Sequence, residues 1–422
     1  MTALVLGLIL VLAAIGAPVF ALMGALALWL FSNAGVAGSA AIVEFFRLAS
    51  LPALIAIPLF TFAGFLLAES NAPRRMLALA EALFGWMPGG IAIVGLLCCA
   101  LFTAFTGASG VTIIALGGLL YPMLLRQRYG EEFSLGLITC TGSLGLLFPP
   151  SLPIILYGLV AKVSIDKLFI AGAVPALLLI AALALYSVFV GNRSGVARIP
   201  FSAPIALRAA RAAAWEIPLP FLIIGGIYGG LFTATDAAAV MAFYVLAVEI
   251  FVYKDLKLSD LPALVGRSMT LVGAILIVLG CALGLTNYLI DAEVPDKLFA
   301  LMHRYVESKT SFLLLLNLLL LVVNMVEIFS AIVIVVPIIV PIAAQYAIDP
   351  IHLGIIFLLN LEIGYMTPPL GLNLFLSNRR FEQPLGKLYR AAAPFWLIHV
   401  AMLALVTYAP DLSLALLRFT GK

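Results

Sequence analysis

Apolar residues fill this chain in long blocks with little helical or strand alternation, and polar positions cluster in short intervals between them. MTALVLGLILVLAAIGAPVFALMGALALWLF, residues 1–31, is the first such block. Without a basic leader or a small-residue cleavage site it reads as a spanning helix and not a removable signal. Blocks of this length predict helices near 2–31, 40–70, 90–104, 134–146, 150–163 and 167–190. A second set follows an extra span near 216–231. The segments 107–125 and 326–345 are interrupted by small or polar residues at one end and prolines at the other. Each reads as a re-entrant helical hairpin or a broken span.

The pattern is punctuated in a way that packing alone does not require. GLLFPPSLPIILYG, residues 145–158, carries Pro149, Pro150 and Pro153 inside an apolar run. Proline donates no backbone hydrogen bond and restricts the residue before it, so a helix reaching Phe148 must stop or bend. Broken backbone at membrane depth is tolerated where protein buries it or where it lines a polar cavity. GYMTPP, ending in Pro368 and Pro369, repeats the motif, and the same spacing carries Pro122 of LLYPMLL onto Pro341 of IIVPIAA. Upstream, AESNAPRRMLALAEAL resembles DAEVPDKLFALMHRY. The chain therefore divides into repeats over 1–190 and 218–422 joined by 191–217. An odd number of crossings in each repeat inverts the second relative to the first.

Composition narrows the class. Of 422 residues, 64% are hydrophobic and 10% charged, against roughly 25% charged in soluble domains. This is a polytopic, all-helical membrane protein with room for about ten to twelve crossings. A net charge of +3 with no basic stripe excludes a nucleic-acid partner. Arg193, Arg198, Arg208 and Arg211 fall in one interval without acids, which places that connection in the cytoplasm. Cys98, Cys99, Cys140 and Cys281 lie in apolar runs without ligand spacing and read as small core residues. His303, His352 and His399 are isolated, which leaves no metalloenzyme pattern and no paired catalytic groups.

Four polar stretches remain: 105–112, 139–145, 323–331 and 360–373. Their hydroxyls, amides and freed backbone carbonyls suit a dehydrated hard cation such as sodium. Helix N-termini after Pro150 and Pro369 suit an anion. Taken singly, Ser109, Thr141 and Ser143 read as hydroxyls bonded back to helix carbonyls or as close-packing residues. Their recurrence beside two double prolines favours function. Glu327 and Glu362, acids within apolar segments, are candidates for coupling or gating. Asp236 reads as part of a helix start capped by Thr233 or Thr235. Trp29, Trp86, Trp215 and Trp396 read as interface anchors, and Arg126, Arg128, Arg379 and Arg380 as lipid or solvent contacts.

At AIPLFTFAG, FTGASG, PPSLPIILYG, GGLFTATDAAAV, VPIIVPIA, IDPIHLGII and GYMTPPLGLNLF the chain resembles the large membrane subunit of tripartite ATP-independent periplasmic (TRAP) transporters over essentially its whole length. The resemblance implies an inverted-repeat, elevator-type carrier of about eleven transmembrane helices with two re-entrant hairpins. It implies residence in the bacterial inner membrane, a small four-helix membrane subunit and a periplasmic substrate-binding protein as partners, a small carboxylate as cargo, sodium as coupling ion and no cofactor. A first sodium region would use Ser109, Gly142, Leu144 and Pro149, and a second Glu327, Gly364, Thr367 and Asn373. Ser143, Pro150, Ser151, Glu362 and Pro369 are the substrate candidates. The chain departs from the family pattern at Val111, where a second serine is common, and at Glu327, where aspartate is common. The alternative is a stand-alone dicarboxylate or ion exchanger of similar inverted-repeat build.

Overall fold

The computed structural model describes residues 2–48, 50–107, 109–196, 200–323 and 328–420. All regular structure among them is helical. The first apolar block is two helices, α1 (Thr2–Ala14) and α2 (Val19–Asn33), not the single one expected. Gly16 takes a left-handed turn at φ 87° and Pro18 cannot donate, so the helix ends between them. The 40–70 block divides likewise into α3 (Ser39–Leu48), a 3₁₀ turn (Pro52–Ile55) and α4 (Ala56–Glu69). Pro52 occupies the position where its missing donor costs nothing.

Next comes the amphipathic α5 (Ala72–Phe84), followed by α6 (Gly90–Thr106), α7 (Ser109–Thr112), a π-turn (Ile113–Gly117) and α8 (Gly118–Arg126). Gly107, at φ 64°, ends α6 in a left-handed cap, a conformation a side chain would strain. The chain then doubles back: a Cβ on Gly95 of α6 would sit 2.4 Å from Leu120 of α8. At about 26 Å, α6 is shorter than the roughly 30 Å hydrocarbon core. This segment is thus a helical hairpin with its tip inside the protein. The double-proline element follows as α9 (Glu131–Thr141), a 3₁₀ turn (Leu144–Leu147) and α10 (Leu152–Ala161), with a 44° bend. The long α11 (Ile165–Arg193) completes the first half.

The connection contains α12 (Ala203–Ala212), which packs on α5. Beyond it lie α13 (Pro218–Tyr228) and α14 (Ala234–Ala247), the latter continuing through a π-turn to Val252. As expected, Thr233 and Asp236 form a capping box at the start of α14. The remaining helices are α15 (Leu261–Asp291), α16 (Val294–His303), α17 (Lys309–Val323), α18 (Ile328–Gln345), α19 (Pro350–Gly364), α20 (Leu372–Phe381), α21 (Leu385–Tyr408) and the terminal α22 (Asp411–Thr420). Phe312 and Tyr346, at the open ends of α17 and α18, stack with ring centroids 4.4 Å apart. Residues 324–327, between these two helices, lie outside those described.

Seven described helical stretches are long and apolar enough to cross a membrane, eight if the bent α9–α10 pair is one span. Five more apolar helices are shorter, α6 and α17 among them. Helices α9, α19 and α21 pack together at the centre, flanked by α11. An outer group of α2, α3, α4, α14 and α15 packs among itself. Cys98, Cys99 and Cys140 are buried and Cys281 half-buried, in keeping with their reading as small packing residues.

A polar hub ties α5 to the outer group. Arg75 pairs with Glu216, with Glu249 at 3.1 Å and with Asp255 at 2.5 Å, and lies 3.7 Å above the Tyr253 ring. One guanidinium thus serves three carboxylates from two distant parts of the chain.

Candidate functional site

The double proline ends a helix as its chemistry requires. Phe148 is extended (φ −94°, ψ 139°), and α10 restarts at Leu152. Residues 142–147 and 149–151 are buried and Phe148 is half-buried. Gly145 makes this burial possible: a Cβ there would lie 2.3 Å from the Ala104 amide nitrogen and 2.4 Å from the Ala100 carbonyl oxygen of α6. Bare backbone of the break therefore presses on bare backbone of the first hairpin.

Hydroxyls stitch the two together. Thr103 of α6 shares a 2.7 Å hydrogen bond with Thr112 and donates to the Gly142 carbonyl at 3.1 Å. The hairpin tip touches α10 and α20, since a Cβ on Gly107 would meet Leu152 at 2.4 Å and one on Gly110 would meet Leu376 at 3.1 Å. Ser109, at that tip, is buried, as are Leu144, which opens the 3₁₀ turn, and Pro149 and Pro150, joined by a cis peptide bond.

Asn373 comes from the other half of the chain to complete this region. Its Nδ2 donates to the Thr139 carbonyl at 3.0 Å and to the Ser143 hydroxyl at 3.3 Å. The amide orientation is set by those bonds, and Oδ1 is buried with no hydrogen-bond partner among the described residues. The Thr106 and Ser151 hydroxyl oxygens are likewise buried and unpartnered. Ser143 itself donates to the Cys140 carbonyl at 3.3 Å. Asn373, which the resemblance assigns to the second region, makes its hydrogen bonds at the first break. Its helix α20 crosses to α9, where Thr139 also donates to Ser377 at 2.8 Å.

The second break, residues 365–371 after Gly364, is built differently. Gly364 is buried and Thr367 half-buried, while Pro368 and Pro369, also joined in cis, and Leu370 are exposed. Thr367 donates to the Ile363 carbonyl at 2.7 Å and accepts from Trp396 Nε1 at 2.9 Å. Trp396, expected to anchor at the interface, instead steadies the break. Tyr389 donates to the Pro369 carbonyl at 3.3 Å. Glu327 lies outside the described residues. Glu362 points into the core between α19, α21 and α9: its Oε2 is 4.0 Å from His399 Nε2, which is 3.7 Å from Cys140 Sγ. Neither Glu362 oxygen has a hydrogen-bond partner among the described residues.

Arg380 stays exposed at the end of α20. It donates to the Ile114 carbonyl at 3.3 Å, an oxygen in the π-turn behind the hairpin tip, where irregular helical bonding is common at functional sites. Thr103, Trp396, Ser377 and Arg380 were not singled out as site residues in the sequence, because each sits within a helix whose local pattern is unremarkable. Only Thr103, two residues before the polar tip stretch, carried a signal. Among the described residues no cluster of three His, Cys, Asp or Glu side chains forms a metal centre.

The family model described as "Tripartite ATP-independent periplasmic transporter, DctM component" matches residues 6–412. The chain belongs to the TRAP transporter large-permease family. The C4-dicarboxylate TRAP transporter large permease protein DctM of Pseudomonas aeruginosa is 38% identical over 405 residues, covering 95% of this chain and 94% of that one. The isethionate TRAP transporter permease protein DctMQ of Oleidesulfovibrio alaskensis is 33% identical over 371 residues, 87% of this chain and 58% of that longer one. Among solved structures, the crystal structure of the Alcanivorax borkumensis YdaH transporter superposes with a TM-score of 0.65 at 13% identity, covering 89% and 88% of the two chains. At that identity the likeness is one of fold. As a TRAP permease the chain is a multi-pass membrane protein and a transporter component.

Proposed function

We propose that this permease carries a small organic anion across a bacterial inner membrane, driven by sodium. Its cargo would arrive from a periplasmic binding protein, and a small four-helix membrane subunit would complete the complex. The observation that carries this reading is the unpartnered Asn373 Oδ1 at the first break, beside the Ser143 hydroxyl; the Ser151 oxygen of the same break and the Thr106 oxygen at the end of α6 are also unpartnered. Buried oxygens are ordinarily satisfied, and several left open around freed backbone carbonyls suit a hard cation. Ser109, Gly142, Leu144 and Pro149 would contribute at this region together with Asn373. Gly364, Thr367 and Glu327 would form a second.

In this reading the hairpins and broken helices are the mobile unit, and α2–α4 with α14 and α15 the fixed frame. Sodium at the first break would draw the Ser109 tip against α20. The N-termini of α10 and α20, beside Ser151, Pro150 and Pro369, would favour an anion next to it, and the bound charges would offset one another during movement. Residues 1–190 and 218–422 would be the inverted repeats that make two such sites possible.

The test is uptake of succinate and isethionate into proteoliposomes holding the permease and its small subunit, with binding protein outside. Accumulation that requires an inward sodium gradient and the binding protein supports the proposal. Accumulation that is indifferent to both identifies a stand-alone exchanger instead.

A further inference from the structure

A second polar locus lies away from both breaks, at the seam between the central helices and the outer group. A cleft of about 230 Å³ is lined by the end of α10, by α15 and by α18, with Leu159, Lys162, Thr286, Asn287, Ile290 and Pro341 among its walls. Among the described residues Lys162 is the single ionisable one lining it. The lysine is exposed and has no ion pair among the described residues. The half-buried Thr286 and Asn287 side chains likewise make no hydrogen bond to another described residue. A larger cleft of about 730 Å³ adjoins the first and shares Lys162. It contains Asp236 and Asp166, both at helix starts, and Asp236 is taken up by Thr233. Lys162 lines both clefts, and in the smaller one no acidic side chain accompanies it among the described residues.

We propose that Lys162, Thr286 and Asn287 form a capture site for organic anions at the mouth of the permease, outside the two breaks. An ammonium supplies the attraction, and a hydroxyl and an amide donor fix a carboxylate or sulfonate against otherwise apolar walls, the usual composition of a small-ligand site. A C4 dicarboxylate fits within the volume. The position also suits arrival. Helix α11, about 43 Å long at 29 residues, runs from beside Lys162 to Arg193, so Lys162 lies across the membrane from the basic connection. With that connection cytoplasmic, the cleft opens to the periplasm. About 15 Å of α10 separates Lys162 from the first break, which makes this a waiting position and not the transport site. The inference rests on the proposed function for its direction and its ligand class.

The test is thiol labelling of full-length Ile290→Cys protein in a Cys281→Ala background, in choline buffer so that sodium plays no part. Ile290 is 45% exposed at the rim. Succinate or isethionate at millimolar concentration is expected to slow modification. Replacing Lys162 by Gln should abolish that protection and lower the rate of an anionic methanethiosulfonate relative to a cationic one on the order of threefold. Protection that persists in Lys162→Gln, or none by either anion with an unchanged reagent ratio, overturns the proposal. Either failure beside an intact sodium-driven uptake leaves the proposed function standing, whereas lost uptake beside Lys162-dependent protection condemns only that function.

Discussion

The two breaks share a double-proline motif, yet one is sealed and the other open. At the first, Gly145 lets backbone meet backbone, and hydroxyls of Thr103 and the Asn373 amide hold the freed carbonyls in place. At the second, Pro368, Pro369 and Leu370 are exposed, and one tryptophan and one tyrosine supply the support described above. A repeated motif thus sets where a helix must break. What packs against the break decides how deeply it is buried. The sealed break is suited to a dehydrated ion, and the open one to a surface that changes partners.

The largest difference between them should appear on adding volume. Gly145→Val forces a branched side chain into two backbone atoms, and a cost of about 3 kcal/mol is expected, read as loss of monodisperse protein after mild heating. Leu370→Ala at the open break, 56% exposed, should change stability by less than about 0.5 kcal/mol. Equal losses would erase the distinction.

Asn373→Ala comes next. It removes the donor to Thr139 and Ser143 and should cost about 1–3 kcal/mol in unfolding measurements without sodium. Asn373→Asp, which keeps an oxygen but loses the donor, should recover less than half of that. At the open break, Trp396→Phe deletes a single half-exposed hydrogen bond to Thr367 and should cost about 1 kcal/mol, with faster proteolysis near Leu370. A Trp396 effect exceeding that of Asn373 would reverse the ranking of the two breaks.

The smallest effect comes from the hub remote from both. Burial alone would raise the Asp255 carboxyl, but hydrogen bonds from Asn71 and Arg75 overcome it and hold the group below its ordinary value. A lowered folded-state pKa contributes stability above the unfolded value of about 4, lost as pH falls through the folded value. The stability gap between the wild type and Asp255→Asn should therefore close below about pH 4, without altering any response to sodium.

Much of this was legible because helix-breaking chemistry is local. The double prolines, the Gly107 tip, the Thr233–Asp236 cap and the order of elements are all written in short stretches. The 1–31 and 40–70 blocks were read as single helices because their composition never changes. The residues that divide them, Gly16, Pro18 and Pro52, sit in apolar surroundings where hydropathy carries no signal. The placement of Asn373 at the first break was not legible, since it depends on α20 crossing to α9, a contact between distant parts of the chain. Trp396 misled for the opposite reason: flanking an apolar run is the mark of an interface anchor, and the Thr367 hydroxyl it meets lies far away in sequence.

The central claim is that the sealed break holds sodium and that Asn373 completes it. The direct measurement is the melting temperature of purified permease in sodium against equimolar choline, for the wild type and Asn373→Ala. A ligand at ten times its Kd stabilises the folded state by about 1.4 kcal/mol, so a sodium-specific rise is expected in the wild type and should vanish in the variant. Identical melting of the wild type in both salts, or an undiminished sodium rise in Asn373→Ala, would contradict the claim.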